Sequence, residues 1–360
     1  MPDSTRNTVV NTGLLLLAFV GTGVLTGQGL NNTATPVQAA EPAVAVVAGK
    51  GAVPADAPPA VSWAAGVFGH SGAVRVRMVL PGEAVKLPLA WADARREGVR
   101  YRWVPVEETS VRLAGSRGGL IGELGAGDVA RAPASAGVYE VELMRGDAAT
   151  RLSGLRFVVL VPITQKKNGK LNGYRIGNYP GEGTGRTGPY APPAGFIEVT
   201  KANADMKLSE HFRLREFLTH DQASVWPKYA VVDPKLLDKL ELVLQDLEAN
   251  GVPARRMVVM SGYRTPQYNG QGVGRGRASL SRHQYGDAAD VWVDNDNDWY
   301  MDDLNRDGRR DTRDGQVMLR AVDRIEKRYP DLVGGAGVYR DNGVHGPFIH
   351  IDTRGRRARW

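Results

Sequence analysis

The 360-residue chain contains no cysteine. That absence excludes disulfides, thiolate metal sites, cysteine nucleophiles and acylation at a lipoprotein cysteine. It leaves export open, since an exported chain need not carry disulfides. A long apolar run is also missing. The N-terminal run "GLLLLAFVGTGVL" at residues 13–25 is too short for a comfortable membrane span. Preceded by Arg6, it fits the apolar region of a signal peptide, and "PVQAAEP" offers cleavage after Ala39 or Ala40. The gap between run and cleavage stretch is longer than usual, so an uncleaved membrane anchor is the alternative. Either way, residues 1–26 predict export to the periplasm or cell envelope.

The net charge is +7, which favours polyanionic surroundings such as anionic envelope polymers or lipid head groups. No basic strand with interleaved aromatics and no recognition-helix pattern accompanies that charge, so a nucleic-acid partner is not expected. The tail "RGRRARW" reads as a solvated end. No internal repeat exists at domain scale. A formal G-x-G-x-x-G at Gly183, Gly185 and Gly188 lacks the strand and helix a dinucleotide site needs. Pro180, Pro189, Pro192 and Pro193 forbid that context.

What is present divides the chain. Residues 27–60 are rich in Ala, Pro, Gly and Thr, the composition of a flexible tether. Residues 61–162 hold short β-rich runs such as "AVRVRMVL", "GVYEVELM" and "LRFVVLVP", which predict a small all-β, sandwich-like domain. Residues 163–206 are Gly/Pro-rich and read as an ordered linker. Residues 207–360 form a second domain. Its clearest helix is "DPKLLDKLELVLQDLEANG": Asp233 caps it, Pro234 opens it, and Gly251 ends it. Leu236, Leu237, Leu240, Val243, Leu244 and Leu247 form one face.

The second domain also carries polarity where a strand should be buried. "SRHQYGDAADVWVD" places His283 and Asp290 in a small, apolar run. Buried charge is costly unless paired or bound to a metal. A further ligand candidate lies in "PFIHID". Strand side chains alternate, so if Ile349 and Ile351 face the core, Phe348, His350 and Asp352 share the other face. By the same alternation Asp290 points opposite to Val291. His283, Asp290 and His350 can then converge. Two imidazoles, one carboxylate and a water make an open zinc site of the hydrolytic kind.

These segments resemble the D-alanyl-D-alanine metallopeptidase and hedgehog-like zinc family. "SRHQYGDAAD" is similar to its S-x-H-x-x-G-x-A-x-D signature, "SGYRTPQYN" to the preceding S-G-[YF]-R segment, and "FIHID" to its closing strand. The resemblance covers residues 207–360. It implies an α+β zinc peptidase domain with a central antiparallel sheet, and His283, Asp290 and His350 as zinc ligands. It also implies that Arg264 contacts the substrate carbonyl or carboxylate, and that peptidoglycan stem peptides are the partner. The chain departs from the family at the usual base positions, which hold Pro347 and Phe348 and cannot move a proton. His345 in the turn "NGVHGP" is the remaining candidate base. Asp352 is placed to orient a neighbouring ligand.

A second metal is expected between these motifs. In residues 294–314, Asp303, Asn305 and Asp307 occupy positions 1, 3 and 5 of a calcium loop, and Gly308 supplies the turn. The Arg309 carbonyl, Asp311 and Asp314 complete it. The stretch from Asp294 fits poorly, with Trp299 where glycine belongs. The other reading is an acidic loop balanced by Arg306, Arg309, Arg310 and Arg313. Together these features predict an exported zinc peptidase, endopeptidase or carboxypeptidase, acting on peptidoglycan peptides. The alternative is an inactive peptidase-fold module that binds cell-wall peptides or acts as an envelope scaffold.

Overall fold

Runs with alternating apolar residues in the first half become strands, as side chains that alternate across a pleat require. The computed structural model describes residues 57–92, 94–106, 121–274 and 276–360. The apolar run at residues 13–25, its cleavage stretch and residues 27–56 of the tether lie outside the described residues. Among the described residues, no helix is long and apolar enough to cross a membrane.

Five strands form one sheet in the order Val76–Val79, Ala148–Val159, Gly137–Arg145, Arg100–Pro105, Ile121–Glu123. The first pair is parallel and the others are antiparallel. Two short antiparallel pairs accompany it, Val61–Trp63 with Leu89–Trp91 and Ala84–Lys86 with Val129–Arg131. Trp103 is fully buried between them, edge-on to Phe157 at 5.0 Å. Its indole N–H donates to the Arg131 carbonyl at 2.7 Å, which removes the cost of burying that donor.

Residues 163–206, which their composition presents as a linker, contribute the strand Gly195–Val199. It pairs with Val161–Pro162 on one side and Lys228–Ala230 on the other. Tyr174, Ile176, Tyr179 and Phe196 are buried in the same core as the helix face of Leu236, Leu240 and Leu244. The apolar residues here are separated by turns and show no period, so the segment looks like a linker in sequence.

The helix Pro234–Ala249 forms where its signals place it. The Asp233 side chain accepts from the Lys235 N–H, and Pro234 stands in the first turn. Its apolar face packs against a second helix, Thr312–Arg328, capped by Asp311 and Asp314. Both helices lie against a sheet of order Met257–Ser261, Ala288–Val293, Phe348–Asp352, Gly335–Tyr339, Ala358–Arg359. All its pairs are antiparallel except the last, which is parallel. Between helices and sheet, Lys239 is fully buried. Its ammonium bridges the Glu326 carboxylate and the Asp352 carbonyl, each at 2.7 Å. The chain is thus a mixed α/β structure with several sheets and few helices.

Candidate metal centre

Strand register brings the polar residues together. Asp290 and His350 are direct cross-strand partners, and Ser261 is the partner of Asp290 on its other side. Ile349 and Ile351 are fully buried in the core beneath, so alternation turns His350 to the opposite face. His283 arrives from a single 3-10 turn, Arg282–Tyr285, which ends at Gly286 with φ +73°. Only glycine suits that position, since a Cβ would also lie 2.4 Å from the Val231 carbonyl oxygen.

Three atoms converge: His283 Nε2, Asp290 Oδ1 and His350 Nδ1. The two nitrogens are 3.2 Å apart, and Asp290 Oδ1 lies 3.2 Å from His283 and 2.9 Å from His350. A tetrahedral zinc with bonds of about 2.0–2.1 Å separates its ligand atoms by roughly 3.3 Å. The triangle therefore has the size of three tetrahedral corners. The donor set, two imidazoles and a carboxylate, is one zinc accepts in open sites. Among the described residues, these three form a metal-sized group in which every member is buried.

The remaining ring atoms set the tautomers. His283 Nδ1–H donates to the Gly262 carbonyl at 2.7 Å, which leaves Nε2 its lone pair. His350 Nε2–H donates to Asp352 Oδ2 at 3.1 Å, which leaves Nδ1 its own. Asp352 is in turn fixed by the Gly335 N–H at 2.7 Å and by the Arg354 guanidinium. Burial alone would raise the Asp290 pKa, but His283 and His350 hold it well below the usual carboxylate range. Burial lowers the His283 pKa. At His350 burial acts the same way, yet the hydrogen bonds to Asp290 and Asp352 prevail and raise it.

Residues 210–321 match the family model of Peptidase M15. This is the D-alanyl-D-alanine metallopeptidase family, whose members are zinc-dependent. The matched M15 segment includes His283 and Asp290, and His350 lies beyond its end. The match supports a peptidase. No curated protein and no solved structure gives a significant match to the chain.

The other residues singled out in the sequence have varied surroundings. Arg264 is mostly buried, its Nη2 donating to Asp290 Oδ2 at 2.5 Å and its Nε to Ser261 Oγ at 2.8 Å. It therefore grips the carboxylate oxygen that faces away from the two histidines. His345 stays within its own turn. Its Nδ1 lies 2.9 Å from the Gly346 carbonyl and its Nε2 3.0 Å from Asn342 Nδ2. Its ring stands edge-on to Phe348 at 4.8 Å.

The calcium reading finds no support. Asp303 accepts from the N–H groups of Asp307 and Gly308, and Asp307 from Arg309 N–H. Asp314 is fully buried and accepts from the N–H groups of Leu304, Asn305 and Asp311. Asp311 caps the following helix, and Arg313 pairs with Asp307 and Asp311. Asn305 Oδ1 accepts from the Asp307 N–H. The carboxylates that do gather are those of Asp294, Asp296 and Asp302, where Trp299 itself takes a left-handed φ of +66°. Asp294 is already paired with Arg256 at 2.5 Å.

One cleft opens on the three ligands. Its lining includes Arg264, Arg277, Arg282, Arg340 and Arg354, and among the described residues Asp290 is its only acidic one. The sequence reading missed several of its residues. His220 lines it, its pKa lowered by burial and by the charges of Arg264 and Arg277. Tyr190, from the apparent linker, lines it and lies beneath the Arg282 guanidinium at 4.9 Å. Trp360 lines it from the tail, and Arg359 beside it pairs with Asp323 and Glu326. Arg359 and Trp360 are therefore held in place, while Arg356 and Arg357 remain exposed.

Proposed function

We propose that this chain is an exported zinc peptidase that hydrolyses peptide bonds in peptidoglycan stem peptides or their cross-links. The observation that carries the reading is the triangle of His283 Nε2, Asp290 Oδ1 and His350 Nδ1, sized for a tetrahedral metal, with His283 and Asp290 inside a segment matched by a zinc peptidase family. When bound, zinc would polarise the scissile carbonyl and make its water acidic enough to be a nucleophile. The chain's own residues do the rest. Gly262 and Asp352 fix the two imidazoles in the ligating tautomers. Arg264 holds Asp290 Oδ2, which leaves Oδ1 turned to the histidines. The arginines of the cleft suit a substrate that carries carboxylates, as peptidoglycan stems do.

Export rests on the N-terminal apolar run and its small-residue stretch. The first-half β domain would then position the peptidase in the envelope.

A second reading has one observation behind it. Phe348 and Pro347 occupy the usual base positions, and His345 is tied to Asn342. An inert module that binds wall peptides would be built this way. Digestion of purified muropeptides with zinc and with a chelator decides between them. New stem-peptide termini that appear only with zinc establish the peptidase. Zinc-bound protein that leaves every linkage intact establishes the binding module.

A further inference from the structure

Ser261, Asp290, His350 and Gly337 form one cross-strand row over the sheet. The row ends in a residue without a side chain, beside the ligand His350. The vacancy is filled from the neighbouring strand. A Cβ on Gly337 would come 2.2 Å from Trp360 Nε1, so glycine there is the seat of the Trp360 indole. The seat is built on several sides. Trp360 Nε1–H donates to the Tyr339 hydroxyl at 2.6 Å, and its carbonyl accepts from the Val338 N–H at 3.2 Å. The ring lies 5.4 Å from the His350 ring, and the Arg354 guanidinium is 5.5 Å from the indole.

A tryptophan fixed this firmly is ordinarily covered. Trp360 is 50% exposed and lines the cleft. Nor is it alone. Among the described residues, Leu280, Tyr339, Val344 and Trp360 make up four of the seven large apolar side chains left exposed, and all four line this cleft. Such concentration marks a surface kept for a ligand. A rigid indole beside a metal ligand offers apolar area with little ordering cost.

Building on the peptidase reading above, we infer that Trp360 is a specificity-determining residue. Its indole is the wall against which the aliphatic side chain flanking the scissile bond packs. One methyl more or less against such a wall changes kcat/KM by roughly 10–200-fold.

The test uses the zinc-loaded full chain and two stem peptides that differ only at the residue flanking the cleaved bond, alanine or glycine. Wild type should prefer alanine by about tenfold or more in kcat/KM. Trp360→Ala should keep its zinc and lose that preference, mainly through KM, and Trp360→Phe should restore part of it. Gly337→Ala should reproduce the loss with the indole still present, because it displaces the ring. Cobalt in place of zinc gives a readout free of turnover. It should quench tryptophan emission in wild type, with a smaller loss in Trp360→Phe. A zinc-replete Trp360→Ala that keeps the full alanine preference overturns the inference. So does cobalt quenching that is identical in wild type and Trp360→Phe. A wild type that cleaves neither peptide overturns the peptidase reading itself, and this inference with it.

Discussion

His350 Nε2 donates to Asp352 Oδ2 at 3.1 Å, two residues along the same strand face. Asp352 is fully buried, and its carboxylate would be costly there without partners. Burial opposes its charge, yet His350 and Arg354 hold its pKa well below the carboxylate range. The pair does two jobs at once: it fixes the His350 tautomer and strengthens the basicity of Nδ1. Partners of this kind are worth about 10–100-fold in metal affinity. Asp352→Asn should therefore weaken zinc by that factor while the chain stays folded. Competition with a calibrated chelator checks it, and an unchanged affinity would remove Asp352 from the metal's support.

Arg264 poses the next question, because it touches a ligand and lines the cleft. Removing it leaves Asp290 Oδ2 without its guanidinium in a buried site. Arg264→Ala should lower zinc affinity by about tenfold, the low end of what such supporting partners contribute, and turnover should fall further than zinc loss explains. Measuring kcat at saturating zinc separates the two. A variant with normal kcat at saturating zinc would confine Arg264 to holding Asp290.

How much of this was legible beforehand depended on distance along the chain. His283 and Asp290 stand seven residues apart, and strand alternation alone turns His350 and Asp352 to one face. The helix Pro234–Ala249 announced itself through Asp233, Pro234 and its leucine face. Trp360 and His220 gave no such signal. Their contacts join residues far apart in sequence, and neither lies in a periodic pattern. The tail looked solvated because it is mostly arginine. Arg359 finds Asp323 and Glu326 more than thirty residues away. The calcium reading lacks support for another reason. Aspartates that fold back on nearby N–H groups or cap a helix have the same spacing as aspartates that ligate a cation.

That distinction has a measurable consequence at Asp314. Its buried carboxylate takes three backbone N–H groups and closes the capping box of the helix Thr312–Arg328. Hydrogen bonds to a charged group contribute about 1.5–3 kcal/mol each, and unmade buried donors are costly. Asp314→Ala should destabilise the chain by about 3 kcal/mol. Denaturant unfolding should show the same loss in calcium and in a calcium chelator. A loss that appears only in calcium would restore a cation to this loop.

The proton carrier is the last question. Hydrolysis needs a group that takes a proton from the nucleophilic water and passes it to the leaving amine. Phe348 cannot do so, and Asp352 is committed to His350 and Arg354. Besides the ligands His283 and His350, the described lining of the cleft holds two imidazoles, His345 and His220. Asn342 Nδ2 lies against His345 Nε2 at 3.0 Å, and an amide N–H can only donate, so that nitrogen holds its lone pair. The turn around Gly343 must release this contact before His345 can act. His345→Ala should retain zinc and lower turnover roughly a hundredfold, the usual scale of general acid–base catalysis. His220→Ala is the decisive comparison. Burial, Arg264 and Arg277 lower its pKa, which keeps it neutral at pH 7 and ready to accept a proton. A base must be unprotonated, so if His220 served, the acid limb of kcat/KM would fall below the ordinary imidazole range. A hundredfold loss in His220→Ala, with His345→Ala close to wild type, would move the role to His220.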